Sequence, residues 1–342
     1  MLRKPQGAAS GSAWIAATRA ALRPAARAGP LALAALALAA LAAPAAASGA
    51  SLFQQPRYAA LLADANTGEI LYARQADMER FPASITKVMT IYLLLERVAA
   101  GTMALDDRIV FSRSAASRPP TRLGLAPGDS ITVEQAVRAL ATRSANDVAA
   151  AVAERLSGSE EAFGELMTRR ARQLGMANTR FVNASGLPDP RQVTTARDIF
   201  ILSRAFIDSF PQYYRYFQET EAEVAGQILR NHNSLLRSTP GVDGIKTGFT
   251  RAAGFTLAAS AVRDGRRLIA VVLGGPTRVA RDSNVDALLN AGFTVLAARQ
   301  RGGSLQVADI LAEPGDLNDF VLSSLVEQGS AEPPPPRAAG RR

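Results

Sequence analysis

The sequence predicts an α/β chain of the α+β kind, an antiparallel sheet flanked by helices with an all-helical subdomain set between its strands. Three observations carry this. Apolar strand patterns at both ends of the body are joined by hairpin turns rather than βαβ crossovers, which makes the sheet largely antiparallel. The helical runs cluster between those two groups of strands, over residues 84–210. At 342 residues and 48% hydrophobic composition the chain has ample material for a buried core.

In chain order, "RYAALLADANTGEILYARQ" (57–75) alternates apolar residues around Asn66-Thr67-Gly68 and reads as a hairpin. "SITKVMTIYLLLERVAAG" (84–101) is an apolar helical run with Ser84 at its start and Gly101 at its end. A loop-rich stretch through Pro119, Pro120 and Pro127 follows. Residues 132–156 are helical at both ends, with Ser144-Ala145-Asn146 between. Serine and asparagine compete for backbone hydrogen bonds, so a turn between two helices is expected there. Residues 159–176 form a helix capped by Ser159, and 194–210 another with Thr195 and Asp198 at capping-box spacing. Two strands in 254–275 meet at Arg263-Asp264-Gly265, and 277–293 is the closing amphipathic helix. No internal repeat is present.

The ends have a different character. Residues 1–30 carry five basic residues and no acid, and "LALAALALAALAA" (31–43) follows, with small residues at Ala45 and Ala47. That pattern predicts a secretory signal peptide over 1–47; the apolar run is too short to span a bilayer comfortably. The body then occupies 51–300, and 301–342 is a short extension ending in "AEPPPPRAAGRR". Removing 1–47 lowers the formal charge from +9 to +4, and no basic run of the nucleic-acid type remains. There is no cysteine and one histidine, His232, which excludes disulfides, thiolate metal sites and two-histidine motifs. No metal or cofactor is expected.

The chain holds 36 arginines and three lysines, Lys4, Lys87 and Lys246. Why lysine at 87? Ser84 and Lys87, at i and i+3 of a helix, share a face. A serine hydroxyl needs a base within hydrogen-bond reach, and a lysine serves when burial or a cationic neighbour lowers its pKa. An arginine stays protonated and cannot. Taken alone, Ser-x-x-Lys reads as a capping serine and a solvated lysine. Its company changes that. Ser144-Ala145-Asn146 and Lys246-Thr247-Gly248 follow in order, completing the signature of penicillin-binding proteins and active-site-serine β-lactamases.

"ADANTGEILYARQADMERFPASITKVMT", "SANDVA", "NASGLPDP", "GVDGIKTGFT" and "GGPTRVARDSNVDALLNAGF" closely resemble the D-alanyl-D-alanine carboxypeptidases, the low-molecular-mass penicillin-binding proteins. The likeness runs from about Tyr58 to Phe293. It implies a β-lactamase/transpeptidase-like fold and a serine D-Ala-D-Ala carboxypeptidase trimming peptidoglycan stem peptides, with β-lactams as acylating inhibitors. By the same resemblance Ser84 is the nucleophile and Lys87 its base. Ser144 relays a proton to the leaving D-alanine, and Asn146 holds the substrate amide and orients Lys87. Lys246 and Thr247 bind the terminal carboxylate, Gly248 lets the strand backbone approach closely, and the amides of Ser84 and Phe249 form the oxyanion hole.

Other readings carry expectations too. His232 is expected as a polar strand residue bordering the site rather than a base. Arg118 and Arg122 are expected in a solvated loop near the cleft, and Asp147 as a helix cap. Many relatives continue into a β-rich second domain and an amphipathic membrane anchor. Residues 301–342 are too few for a β-sandwich of roughly 100 residues and show no apolar face, which predicts a periplasmic enzyme without a transmembrane anchor after signal cleavage. The competing functions are a DD-endopeptidase on the same residues, a β-lactamase, and a catalytically silent wall-binding protein.

Overall fold

β1 (Ala59–Asp64) and β2 (Ile70–Arg74) pair antiparallel as the expected first hairpin. Asp64 closes the turn, its Oδ1 accepting from the amides of Asn66 and Thr67 at 2.9 Å each. This computed structural model describes residues 57–311. The predicted leader and the Pro/Arg-rich end lie outside the described residues.

A 3-10 turn over Ala83–Thr86 runs into α1 (Lys87–Ala99). The predicted single helix is therefore two segments, with Ser84 in the first and Lys87 opening the second. The stretch expected as loop contains a small antiparallel pair, β3 (Arg108–Val110) and β4 (Ser130–Thr132), with the one-turn α2 (Arg113–Ala116) between them. α3 (Val133–Ala141) starts in a full capping box of Thr132 and Gln135. α4 (Asn146–Ser157) follows the expected reversal, and α5 (Glu160–Leu174) has Ser159 as its cap.

α6 (Ala196–Ser209) begins with the Thr195 hydroxyl accepting from the Asp198 amide at 3.0 Å. The reciprocal half of that expected capping box is missing. The Asp198 carboxylate instead accepts from the Asn178 amide and the Thr179 hydroxyl, at 2.8 and 2.7 Å. A tertiary contact has displaced a local one.

β5 (Glu221–Val224) and β6 (Gln227–Arg230) form a second small pair, and α7 (Leu235–Ser238) is a single turn. β7 (Val242–Thr250), β8 (Gly254–Arg263) and β9 (Arg266–Gly275) follow, then α8 (Arg278–Gln300) and the short α9 (Val307–Ile310). α8 runs seven residues past the predicted end at 293, and α9 lies within the extension that begins at 301.

The main sheet has the order β2-β1-β9-β8-β7, antiparallel throughout. Both of its faces are covered. Ala59, Leu61 and Ala63 of β1 point into a core shared with the helical block, whereas Ala60 and Leu62 point into a second core under α8. Burial on two faces is why β1 reads as an unbroken apolar run rather than an alternating one. β7 is an edge strand, and the 3-10 turn carrying Ser84 packs against it. No helix among the described residues is long and apolar enough to cross a membrane.

Candidate active site

Between β7, the Ser84 turn, the α3–α4 reversal and the segment after β6 lies an open cavity of about 580 Å³. Ser84, Ser144, Asn146, Thr247, Gly248 and Phe249 all line it. Lys87 and Lys246 are buried behind this lining, at 0% and 1% exposure. The three motifs, 60 and more residues apart in sequence, converge on one place.

Glycine chemistry brings the nucleophile to the strand. A Cβ on Gly248 would stand 2.8 Å from the Ser84 amide nitrogen and 3.0 Å from the Ala83 Cβ. The close approach that Gly248 permits is thus between β7 and the nucleophile's own turn. On the opposite wall, the Asn183 side chain organises "NASGL": its Oδ1 accepts from the amides of Ser185 and Gly186, at 3.2 and 2.8 Å. The loop so formed aims the Ser185 carbonyl at Lys87.

Lys87 Nζ has three neighbours: Ser84 Oγ at 3.2 Å, Asn146 Oδ1 at 2.8 Å and the Ser185 carbonyl at 2.5 Å. The last two can only accept. As an ammonium Nζ donates to all three; in its neutral form it has two N–H donors for the two acceptors, and its lone pair is left for the Ser84 hydroxyl. Burial, then the charge of Lys246, holds Lys87 well below the ordinary lysine range; Glu160 and Asp147 oppose this in part. Asn146 is fixed in turn, its Nδ2 donating to the Pro119 and Pro120 carbonyls at 2.9 and 3.1 Å.

Ser144 holds a left-handed backbone, φ 62°. That conformation is uncommon for a residue with a Cβ. Its hydroxyl is buried with no hydrogen-bond partner among the described residues, although it belongs to the cavity lining. Buried orphan hydroxyls are rare, and one facing a cavity is ready for a ligand. Asp147 is not the cap expected of it: the N-cap of α4 is Ala145, and Asp147 stands in the helix's first turn. Its Oδ1 accepts from the Val148 and Leu123 amides at 2.9 Å each, and Oδ2 from Gly124 at 2.8 Å, which ties the 119–124 loop to the helix.

Three expectations shift. Lys246 does not line the cavity: its Nζ donates to the Thr247 carbonyl at 3.1 Å. Burial and, after it, the Arg281 charge push it down to about 7. The contact surface at this motif is Thr247, with the ammonium behind it. His232 lies past the end of β6 rather than in a strand, though it lines the cavity. Burial first, then Lys246, Arg143 and Lys87, push it down to about 4, so it is neutral near pH 7. Arg118 is not merely solvated but paired with Glu160 at 2.7 Å, while Arg122 is exposed as expected.

Sequence reasoning missed Arg281. It is 2% exposed, stands in the first turns of α8 and lines the cavity beside Ser234, Arg237 and Arg278. The signal was available, since an arginine inside an otherwise amphipathic helix has no place in the apolar core unless something engages its charge.

The family profile described as D-alanyl-D-alanine carboxypeptidase matches residues 48–277, well over half of the chain. The chain belongs to the D-alanyl-D-alanine carboxypeptidase family. It is 35% identical over 240 residues to the D-alanyl-D-alanine carboxypeptidase DacF of Bacillus subtilis, an overlap of 69% of this chain and 62% of that one. To DacA of Escherichia coli it is 37% identical over 240 residues, covering 68% of this chain and 60% of that one. The chain thus spans less than two thirds of the length of these curated relatives. Among solved structures it resembles penicillin-binding protein 5 from Haemophilus influenzae, with a TM-score of 0.67, 34% identity, and coverage of 69% and 70% of the two chains. Penicillin-binding protein D2 from Listeria monocytogenes, in its ampicillin-bound form, gives a TM-score of 0.64 and 34% identity over 69% of this chain and 96% of that one. The β-lactamase/transpeptidase-like fold expected for a D-alanyl-D-alanine carboxypeptidase is the fold observed.

Proposed function

We propose that this chain is a serine D-Ala-D-Ala carboxypeptidase that removes the terminal D-alanine from peptidoglycan stem pentapeptides through an acyl-enzyme on Ser84. One observation carries the reading: a fully buried lysine stands 3.2 Å from the Ser84 hydroxyl, its Nζ also held by two groups that can only accept, Asn146 Oδ1 and the Ser185 carbonyl. Family membership and the resemblance to an ampicillin-bound protein support the same assignment.

In the acylation step Ser84 Oγ bonds to the carbonyl carbon of the penultimate D-alanine and its proton passes to Lys87 Nζ. The carbonyl oxygen becomes an oxyanion held by the Ser84 and Phe249 amides, and Gly248 lets β7 pack closely on the Ser84 turn. The C–N bond then breaks, and the leaving nitrogen takes a proton from the Ser144 hydroxyl, which Lys87 replenishes. Water repeats the sequence on the ester, Lys87 accepting its proton, and frees Ser84. Thr247 receives the terminal carboxylate, with Lys246 and Arg281 supplying positive charge around it. A penicillin presents a similar carbonyl and carboxylate and acylates the same oxygen. Export to the periplasm, supported by the leader pattern of residues 1–47, places the enzyme beside its substrate.

The test is D-alanine release from a pentapeptide ending in D-Ala-D-Ala. Wild type releases it, and Ser84→Ala releases none above background. Equal release by both proteins would remove the assignment.

A pH effect follows from Lys246. With its folded value near 7 against an ordinary 10.5, the unfolded chain binds more protons between these limits. The stability cost of burying the ammonium therefore shrinks as pH rises from about 7 toward 10.5. An arriving carboxylate favours the charged form, so ligand binding at pH 8 takes up a proton. Calorimetry of penicillin binding to Ser84→Ala in buffers of different ionisation enthalpy should read this uptake at pH 8 and little of it at pH 6. A binding enthalpy independent of buffer at pH 8 contradicts it.

A further inference from the structure

Arg281 is too deeply buried to be held in place by solvent, and its neighbours show what holds it. Its Nε donates to Asp282 Oδ1 at 2.7 Å and its Nη1 to the Thr256 carbonyl at 2.7 Å. Nη2 has no partner among the described residues, and it is the part of the guanidinium still free for a ligand. Asp282 engages a second group. Its Oδ2 accepts from Ser234 Oγ at 2.5 Å, and Ser234 lines the cavity from the segment after β6, together with His232 and Arg237. One carboxylate therefore joins two walls of the cavity, α8 and the 231–237 segment.

A carboxylate this close to a site for an anion would ordinarily weaken binding by repulsion. Here both oxygens are occupied by donors, Arg281 Nε and Ser234 Oγ, and the charge offsets part of the cost of burying the guanidinium. We propose that Asp282, with Ser234, is a positioning residue: it locks the Arg281 guanidinium so that Nη2 faces the terminal carboxylate of the substrate. It does not touch the reacting atoms. The inference rests on the carboxypeptidase reading for the identity of that carboxylate, and on geometry alone for the lock.

The experiment compares two ligand pairs on the full chain: a D-Ala-D-Ala peptide and its C-terminal amide, and benzylpenicillin and its methyl ester. In Asp282→Ala, kcat/KM for the free-acid peptide falls about tenfold or more through KM, while the amide changes less than about twofold. The acylation rate constant for benzylpenicillin falls likewise, and that for the ester does not. Asp282→Asn restores most of the loss, since its amide oxygen accepts from Arg281 Nε and its NH2 donates to Ser234 Oγ. Ser234→Ala, a milder change that keeps the ion pair, raises KM about threefold for the free acid only. Equal losses on acid and neutral ligands, or none on either, overturn the proposal. A wild type that is acylated by benzylpenicillin yet releases no D-alanine removes the carboxypeptidase reading while the penicillin pair still decides the lock. A wild type inert to every ligand removes both.

Discussion

Lys87→Arg lowers the rate of Ser84 acylation by about a thousandfold, the middle of the range ascribed to a positioned general base. Lysine and arginine carry the same charge in water, so the substitution isolates what burial does to each. Lys87 is fully buried, beside a second buried lysine and with no carboxylate in hydrogen-bond contact among the described residues. Those conditions favour a neutral amine, and a neutral amine is what accepts the Ser84 proton. A guanidinium under the same pressure keeps its proton and has no lone pair to offer. It is also larger and planar, so Lys87→Met serves as the companion variant. Methionine keeps roughly the packing volume without charge or lone pair, and the same loss is expected. Labelling with a fluorescent penicillin gives the acylation rate, and thermal unfolding reports whether each variant is folded. A folded Lys87→Arg protein acylated within tenfold of wild type would sink the assignment of Lys87 as the base.

How much of this was legible in the sequence depends on the distance over which each feature is determined. The hairpins around Gly68 and Gly265 and the helix starts at Ser159 and Thr195 are written within four residues, and they appear where expected. The catalytic motifs were legible for a different reason. Three short patterns in fixed order leave few alternatives, and two lysines set among arginines mark positions where an arginine fails. What was hidden is set by packing. Strands of three and four residues, β3 to β6, are too short for any periodicity to show. Asp198 has capping-box spacing but turns to Asn178 and Thr179, contacts that exist only once 178–179 is folded against α6. Arg281 does carry a signal, the helical spacing it shares with buried Val285 and Leu288, but the groups that engage its charge meet it only once α8 is docked on the sheet. Lys246 was expected to bind the terminal carboxylate together with Thr247, yet on an edge strand with both neighbours buried its side chain lies behind the wall that Thr247 lines.

Gly186→Ala is expected to cost about 3 kcal/mol of stability and nearly all activity, the larger loss coming from its surroundings rather than its backbone. Gly186 has φ 85°, and a Cβ built on it would lie 1.8 Å from the Ala83 carbonyl oxygen and 2.9 Å from the Ser84 nitrogen. Backbone atoms of a turn that also packs on β7 cannot step aside, so the 183–187 loop must. The Ser185 carbonyl moves with it and withdraws an acceptor from Lys87, which lets the lone pair turn away from Ser84. Gly175→Ala supplies the control. Gly175 ends α5 at φ 93°, and a Cβ placed there would meet nothing within 4 Å. It carries the left-handed cost alone, about 1 kcal/mol, and leaves the site intact. Denaturant midpoints and penicillin acylation measured on both variants separate the two effects. If Gly186→Ala behaves like Gly175→Ala in both measurements, the wall opposite β7 is softer than its geometry implies. The distance between Lys87 and Ser84 would then owe nothing to the close packing of that glycine.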